Sequence, residues 1–128
     1  MNEENFQYYH GMKHKMIKYS SEFTVATFIP EASAIQDAAN ASFSNPSATW
    51  SIPVGVSHVS EKDNYCRKVG RQISKSRMSA KELHLSSCFY GEGFVNFHFT
   101  YGETLQLIFQ TKPGRSKAYL IHAEYWGE

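Results

Sequence analysis

A chain of 128 residues that is 41% hydrophobic and 20% charged can bury one packed core and is too apolar for a disordered segment. Its formal charge of +1 argues against bulk attraction to a polyanion or a membrane surface. No apolar run approaches the roughly 20 residues that span a bilayer, the opening Met1-Asn2-Glu3-Glu4-Asn5 lacks secretory character, and Cys66 and Cys88 are too few for a disulfide scaffold. The expectation is one domain over residues 1–128, cytoplasmic, with reduced thiols and no membrane association.

The first structured stretch is Lys13–Ile29, interrupted only by Ser20-Ser21-Glu22. Its run Phe23–Ile29 is β-prone and predicts an early strand or hairpin. Pro30 suits the start of a short helix through Glu31–Ala39, and Asn40–Ser47, with Asn45-Pro46, reads as a loop. Thr49–Val59 is a further strand, in which Pro53 argues for an edge or a bulge.

Ser60–Met78 reads as the main helix. Ser60-Glu61-Lys62-Asp63 resembles a capping box, with acids early and Lys75 and Arg77 late, as the helix dipole favours. Tyr65, Cys66, Val69 and Ile73 share one face at helical spacing, which predicts that this face packs on the sheet. Lys68, Arg71 and Lys75 form a second, basic stripe flanked by Arg67 and Arg77. The window Ser60–Lys81 carries +5, leaving −4 on the remainder, so the pattern is a local anion site on a mildly acidic body or simply a solvated helix face.

Leu83–Tyr90, Phe94–Tyr101, Thr104–Thr111 and Lys117–Tyr125 are rich in β-branched and aromatic residues. The intervening Gly91-Glu92-Gly93 and Gly102-Glu103 suit tight turns, and Pro113-Gly114 suits the centre of a type II turn. Turns so short join antiparallel neighbours, giving a four-stranded C-terminal meander. Val95, Phe97 and Phe99 alternate with Phe94, Asn96 and His98, and Tyr119, Ile121 and Ala123 alternate with Leu120, His122 and Glu124. Each set predicts one buried face. The expected fold class is therefore α+β: a mainly antiparallel sheet covered by the long basic helix Glu61–Met78 and the short helix Glu31–Ala39.

Gly70 lies mid-helix, where glycine costs about 1 kcal/mol relative to alanine. A missing Cβ there allows close approach by the sheet, by a ligand or by a second copy of the chain. Arg71 follows it directly. Guanidinium makes paired hydrogen bonds to phosphate, and aromatic rings such as Tyr65, Tyr90, Trp50 and Trp126 can stack on bases, although core packing accounts for most of them.

The run Lys62-Asp63-Asn64-Tyr65-Cys66-Arg67-Lys68-Val69-Gly70-Arg71-Gln72-Ile73, followed by Arg77 and preceded by the strand Trp50–Val59, resembles a pattern in small phage-encoded proteins. That pattern is a strand, then K-D-x-aromatic-x-basic-K-x-G-R-x-I, then another arginine. In this it is similar to the Thoeris anti-defence sponges. Asp63, Tyr65, Lys68, Gly70, Arg71, Ile73 and Arg77 match, while Ser76 stands where the pattern has glycine. The resemblance covers this segment only. It implies a homo-oligomeric, non-enzymatic protein that captures a cyclic nucleotide or another phosphate-bearing signal in the bacterial cytoplasm during infection. Tyr65, Arg67, Lys68, Arg71, Lys75 and Arg77 are the candidate ligand-binding residues.

Other chemistry is less well supported by the residues. The six histidines and two cysteines do not fall at zinc-motif spacing, although His98 and His122 could face one another across strands with Glu124 nearby. No nucleophile elbow, phosphate-binding loop or dinucleotide fingerprint occurs. Neither a catalytic residue, a metal nor a cofactor is expected. Two rivals stand beside the sponge. A phage inhibitor could dock directly on a host restriction, CRISPR or transcription protein, and a basic helix could serve a small nucleic-acid-binding protein.

Overall fold

The computed structural model describes residues 5–13, 21–58 and 66–127. Seven strands run in chain order: β1 (Phe6–Lys13), β2 (Ser21–Phe28), β3 (Trp50–His58), β4 (Ser79–Gly91), β5 (Phe94–Tyr101), β6 (Leu105–Thr111) and β7 (Tyr119–Tyr125). Each pairs antiparallel with the next, so the sheet order repeats the sequence order. Helix α1 (Ala32–Ser44) joins β2 to β3, and α2 (Arg67–Ser76) lies between β3 and β4. The result is an α+β molecule built on an antiparallel sheet.

The sheet curls until its first and last strands meet, which makes it nearly a barrel. The seam is closed by side chains. The Leu120 amide donates to Gln7 Oε1 at 2.7 Å, and the Tyr9 hydroxyl lies 3.0 Å from His122 Nδ1. Strand β4 makes the closure possible because its 13 residues serve two ladders. Ser79–Leu83 pairs with β3 and His84–Gly91 with β5, with a register shift between Leu85 and Ser87.

Side chains facing the interior form the core. Phe23 and Val25 of β2, Ile52 and Val54 of β3, Leu83 of β4, Phe97 and Phe99 of β5, and Leu105, Leu107 and Phe109 of β6 are all buried. The alternation in β5 therefore runs as the sequence indicates. Helix α1 adds Ile35 and Ala39 to the same cluster. It closes one end of the barrel and is tied to the β6–β7 connection, with the Ala118 amide bonded to the Pro30 carbonyl and the Ala32 amide to that of Ser116.

Several expectations change. The first strand is Phe6–Lys13, upstream of the predicted hairpin region, and α1 continues to Ser44, through much of the expected loop. Strand β3 has partners on both sides, but Pro53 lies beyond the last β2–β3 pair, Thr27–Val54, where only β4 flanks the chain. In β7 the expected buried set of Tyr119, Ile121 and Ala123 does not form. The ladder shifts opposite Ile108 and Phe109, so Leu120 and Ala123 point inward while Tyr119 and Ile121 stay exposed. One extra residue at a bulge reverses the facing of everything before it.

The largest change concerns α2. Cys66, Val69 and Ile73 were expected against the sheet, yet Val69 is 46% exposed, Ile73 36%, and Cys66 is exposed as well. The face that meets the sheet carries Gly70 and Ser74. Beneath it lie Thr24, Ala26, Gly55 and Ser57, which face outward on the pairs Thr24–Ser57 and Ala26–Gly55. Small residues on both sides let the backbones approach closely. The Ser57 hydroxyl donates to the Gly70 carbonyl at 2.8 Å. An added Cβ at Gly70 would sit 2.6 Å from Thr24 Oγ1, so helix–sheet packing accounts for this glycine. The proposed capping box, the first turns of the predicted helix and Tyr65 lie outside the described residues. Cys66 caps α2 in extended conformation, with no side-chain hydrogen bond.

Candidate functional site

Helix α2 distributes its cations around the axis. Arg67 and Lys68 are exposed, and Arg71 is half-buried. Arg71 turns toward β1, where Nη1 lies 3.4 Å from His10 Nε2, while His10 Nδ1 lies 3.0 Å from Thr24 Oγ1. Burial, and then the positive charges of Arg67 and Arg71, hold the His10 imidazole below its ordinary range. Lys75 extends over the Phe6 ring, 4.6 Å from its centroid. These four side chains and β1 form a basic flank on which Phe6 and His10 are the facing groups.

Arg77, at the C-cap of α2, leaves in another direction. Its Nη1 donates to the Val56 carbonyl at 3.4 Å, and it lines a concavity of about 360 Å³ at the end of the barrel opposite α1. Lys81, Tyr101, Leu105 and Tyr125 line the same space. The end of β3, the start of β4, the β5–β6 turn and the end of β7 converge there. The Trp126 amide bonds to the Thr104 carbonyl at 2.8 Å and ties the chain after β7 to that turn.

The mouth combines two chemistries. Arg77 and Lys81 supply positive charge, and among the described residues no acidic side chain lines the concavity. Lys81 bonds to Ser79 Oγ at 3.1 Å and lies 5.6 Å from the centre of the Tyr101 ring, so neutral groups hold it in place. Tyr101 is 40% exposed and offers a ring face. Tyr125 packs its ring 5.7 Å from Phe23, which anchors it to the core. A cation pair beside two tyrosines can hold a phosphate and an aromatic base together.

Of the six candidate residues from the sequence, Arg77 reaches this mouth, Arg71 and Lys75 engage β1, Arg67 and Lys68 face solvent, and Tyr65 lies outside the described residues. Lys81 belongs to the basic window but stands on β4, and Tyr101 and Tyr125 carry no local signal that places them here. They become neighbours through the β5–β6 turn and the end of β7, which no spacing in the chain reveals.

His98 and His122 stand on either side of one strand. His98 and His122 both pair with Ile108, which stands between them on β6. His122 Nε2 lies 3.6 Å from Glu124 Oε1, beside Tyr9. Among the described residues, no group of three or more His, Cys, Asp or Glu could hold a metal ion, and no helix is long and apolar enough to cross a membrane. No family model matches the chain, and no curated protein or solved structure matches it significantly.

Proposed function

We propose that this protein captures a phosphate-bearing nucleotide, without turning it over, at the barrel mouth beside Arg77. The observation that carries the reading is the concavity of about 360 Å³ in which Arg77 and Lys81 stand with Tyr101 and Tyr125 and, among the described residues, no carboxylate. Barrel mouths are common ligand sites, and this volume falls in the usual range of roughly 300–1,000 Å³. Arg77 and Lys81 hold the phosphates, Tyr101 stacks on the base, and the remaining cations of α2 draw the anion in. Together with the resemblance of the Lys62–Arg77 segment to anti-defence sponges, this suggests a homo-oligomeric phage protein that sequesters a cyclic nucleotide immune signal in the host cytoplasm. A sponge binds in proportion to its own amount, so tight affinity replaces turnover.

Calorimetry of the full chain with cyclic ADP-ribose and with a cyclic dinucleotide tests the reading. Saturable, stoichiometric binding of one of them is expected, with the ligand recovered unaltered after heat denaturation. R77A/K81A should lose capture and keep the native circular dichroism spectrum. Chemically altered ligand, or capture that survives R77A/K81A, would refute it.

A second reading, direct docking on a host defence protein, draws on the exposed Val69 and Ile73 beside the cations of α2. It predicts no nucleotide binding and a stable complex that V69S/I73S disrupts. Steep salt dependence with duplex DNA would instead identify a nucleic-acid binder.

A further inference from the structure

The opposite end of the barrel carries cations that the proposed nucleotide site does not use. Lys112, Pro113, Gly114 and Arg115 form a turn closed by the Arg115 amide on the Lys112 carbonyl at 3.1 Å, with Gly114 at φ +76°. This is the type II arrangement, and it brings its first and fourth residues within about 7 Å at Cα. Lys112 and Arg115 are thus set side by side by the backbone itself. Lys117 follows and is neutralised by Glu31. Lys112 and Arg115 meet no acidic side chain among the described residues. Backbone bonds from Ala118 to Pro30 and from Ala32 to Ser116 fasten the connection to α1.

These cations surround a concavity of about 230 Å³ with Gln110 and Tyr119. Gln110 is held by its own bond to Asn96 Oδ1 at 3.0 Å. Lys112 also lines an adjoining concavity of about 500 Å³ between the first turn of α1 and the β4–β5 hairpin, where Tyr90, Phe94 and Val95 supply the walls. A cationic concavity and one with aromatic walls therefore share Lys112 as a lining residue.

We infer that this end of the barrel is a second binding site, for a phosphomonoester carried on an aromatic body. The phosphate sits between Lys112 and Arg115, whose guanidinium offers the paired donors that fit it. The aromatic body lies against Tyr90 and Phe94. Simple anions satisfy half of the site, and only a ligand with both parts fills it.

The test is amide NMR of the full chain titrated with inorganic phosphate and, separately, with phenyl phosphate. Phosphate should give saturable shifts over residues 110–119. Phenyl phosphate should shift these and also residues 90–94, and bind about tenfold more tightly, the equivalent of one good aromatic contact. K112A/R115A should abolish both responses while the spectrum elsewhere stays native, since both side chains project from an exposed turn. R77A/K81A should leave both intact, which separates this site from the nucleotide mouth. Absence of saturable shifts, equal affinity for the two probes, or binding that survives K112A/R115A would overturn the inference.

Discussion

An alanine at Gly55 would place its Cβ 1.8 Å from the Ser74 carbonyl oxygen and 2.8 Å from the Met78 amide nitrogen. Carbon and oxygen tolerate approach to about 3.3 Å. Both obstructing atoms are backbone, so no rotamer change relieves the clash, and α2 must lift by roughly 1.5 Å. That movement pulls the Gly70 carbonyl away from the Ser57 hydroxyl, 2.8 Å in the native seam, and opens a gap beneath Ser74. Over-packing of this kind costs about 1–3 kcal/mol, and leaving a buried hydroxyl unpaired costs about 1–3 kcal/mol more. Urea denaturation of G55A should show a total loss of about 2–6 kcal/mol through a lower midpoint at unchanged slope. A loss under about 0.5 kcal/mol, the scatter of ordinary surface changes, would show that α2 does not rest on Gly55. G70A is the contrast. Its nearest obstacle is the Thr24 hydroxyl at 2.6 Å, a side-chain atom, and alanine gains about 1 kcal/mol in helix propensity. G70A should therefore cost less than G55A.

Thr27 is fully buried among the core strands and its Oγ1 has no hydrogen-bond partner among the described residues. T27V, which keeps the shape, should raise stability by about 1 kcal/mol in the same denaturation assay; a loss of stability would place a partner on that hydroxyl. His10 protonates in the folded chain below its unperturbed value of 6.5, so protonation favours the unfolded state. The stability associated with neutral His10 is full above 6.5 and declines as pH falls through the lower folded value. Imidazole NMR should give a midpoint under 6.5 that rises in R67Q/R71Q, and a midpoint unmoved by those changes would remove the arginines as a cause. V69S/I73S should change monomer stability little, because both side chains are exposed. If copies of the chain associate through α2, the same variant lowers the mass seen in analytical ultracentrifugation.

Local chemistry accounts for much of the C-terminal half. Alternation around Phe97 and Phe99 marked the buried side of β5, and Pro113-Gly114 marked a turn whose geometry the Gly114 dihedral bears out. Both signals are written in neighbouring residues, where backbone sterics and a period of two leave few alternatives. The facing of α2 was misread for an equally physical reason. Apolar periodicity locates a buried face only when the seam is made of large apolar side chains, and this seam is made of glycine, serine, threonine and alanine. Close backbone approach replaces side-chain volume there, which frees Val69 and Ile73 to face solvent.

Strand and turn identities follow from the order of β-branched, aromatic and glycine residues, and the concentration of cations between Ser60 and Lys81 is plain in the chain itself. Which of those cations meet a concavity depends on closure. Only when β1 reaches β7 and the β5–β6 turn draws beside the end of β7 do Arg77, Lys81, Tyr101 and Tyr125 share one mouth. Contacts between residues so distant in sequence are selected by the curl of the whole sheet and the filling of its interior, which no local window of residues contains.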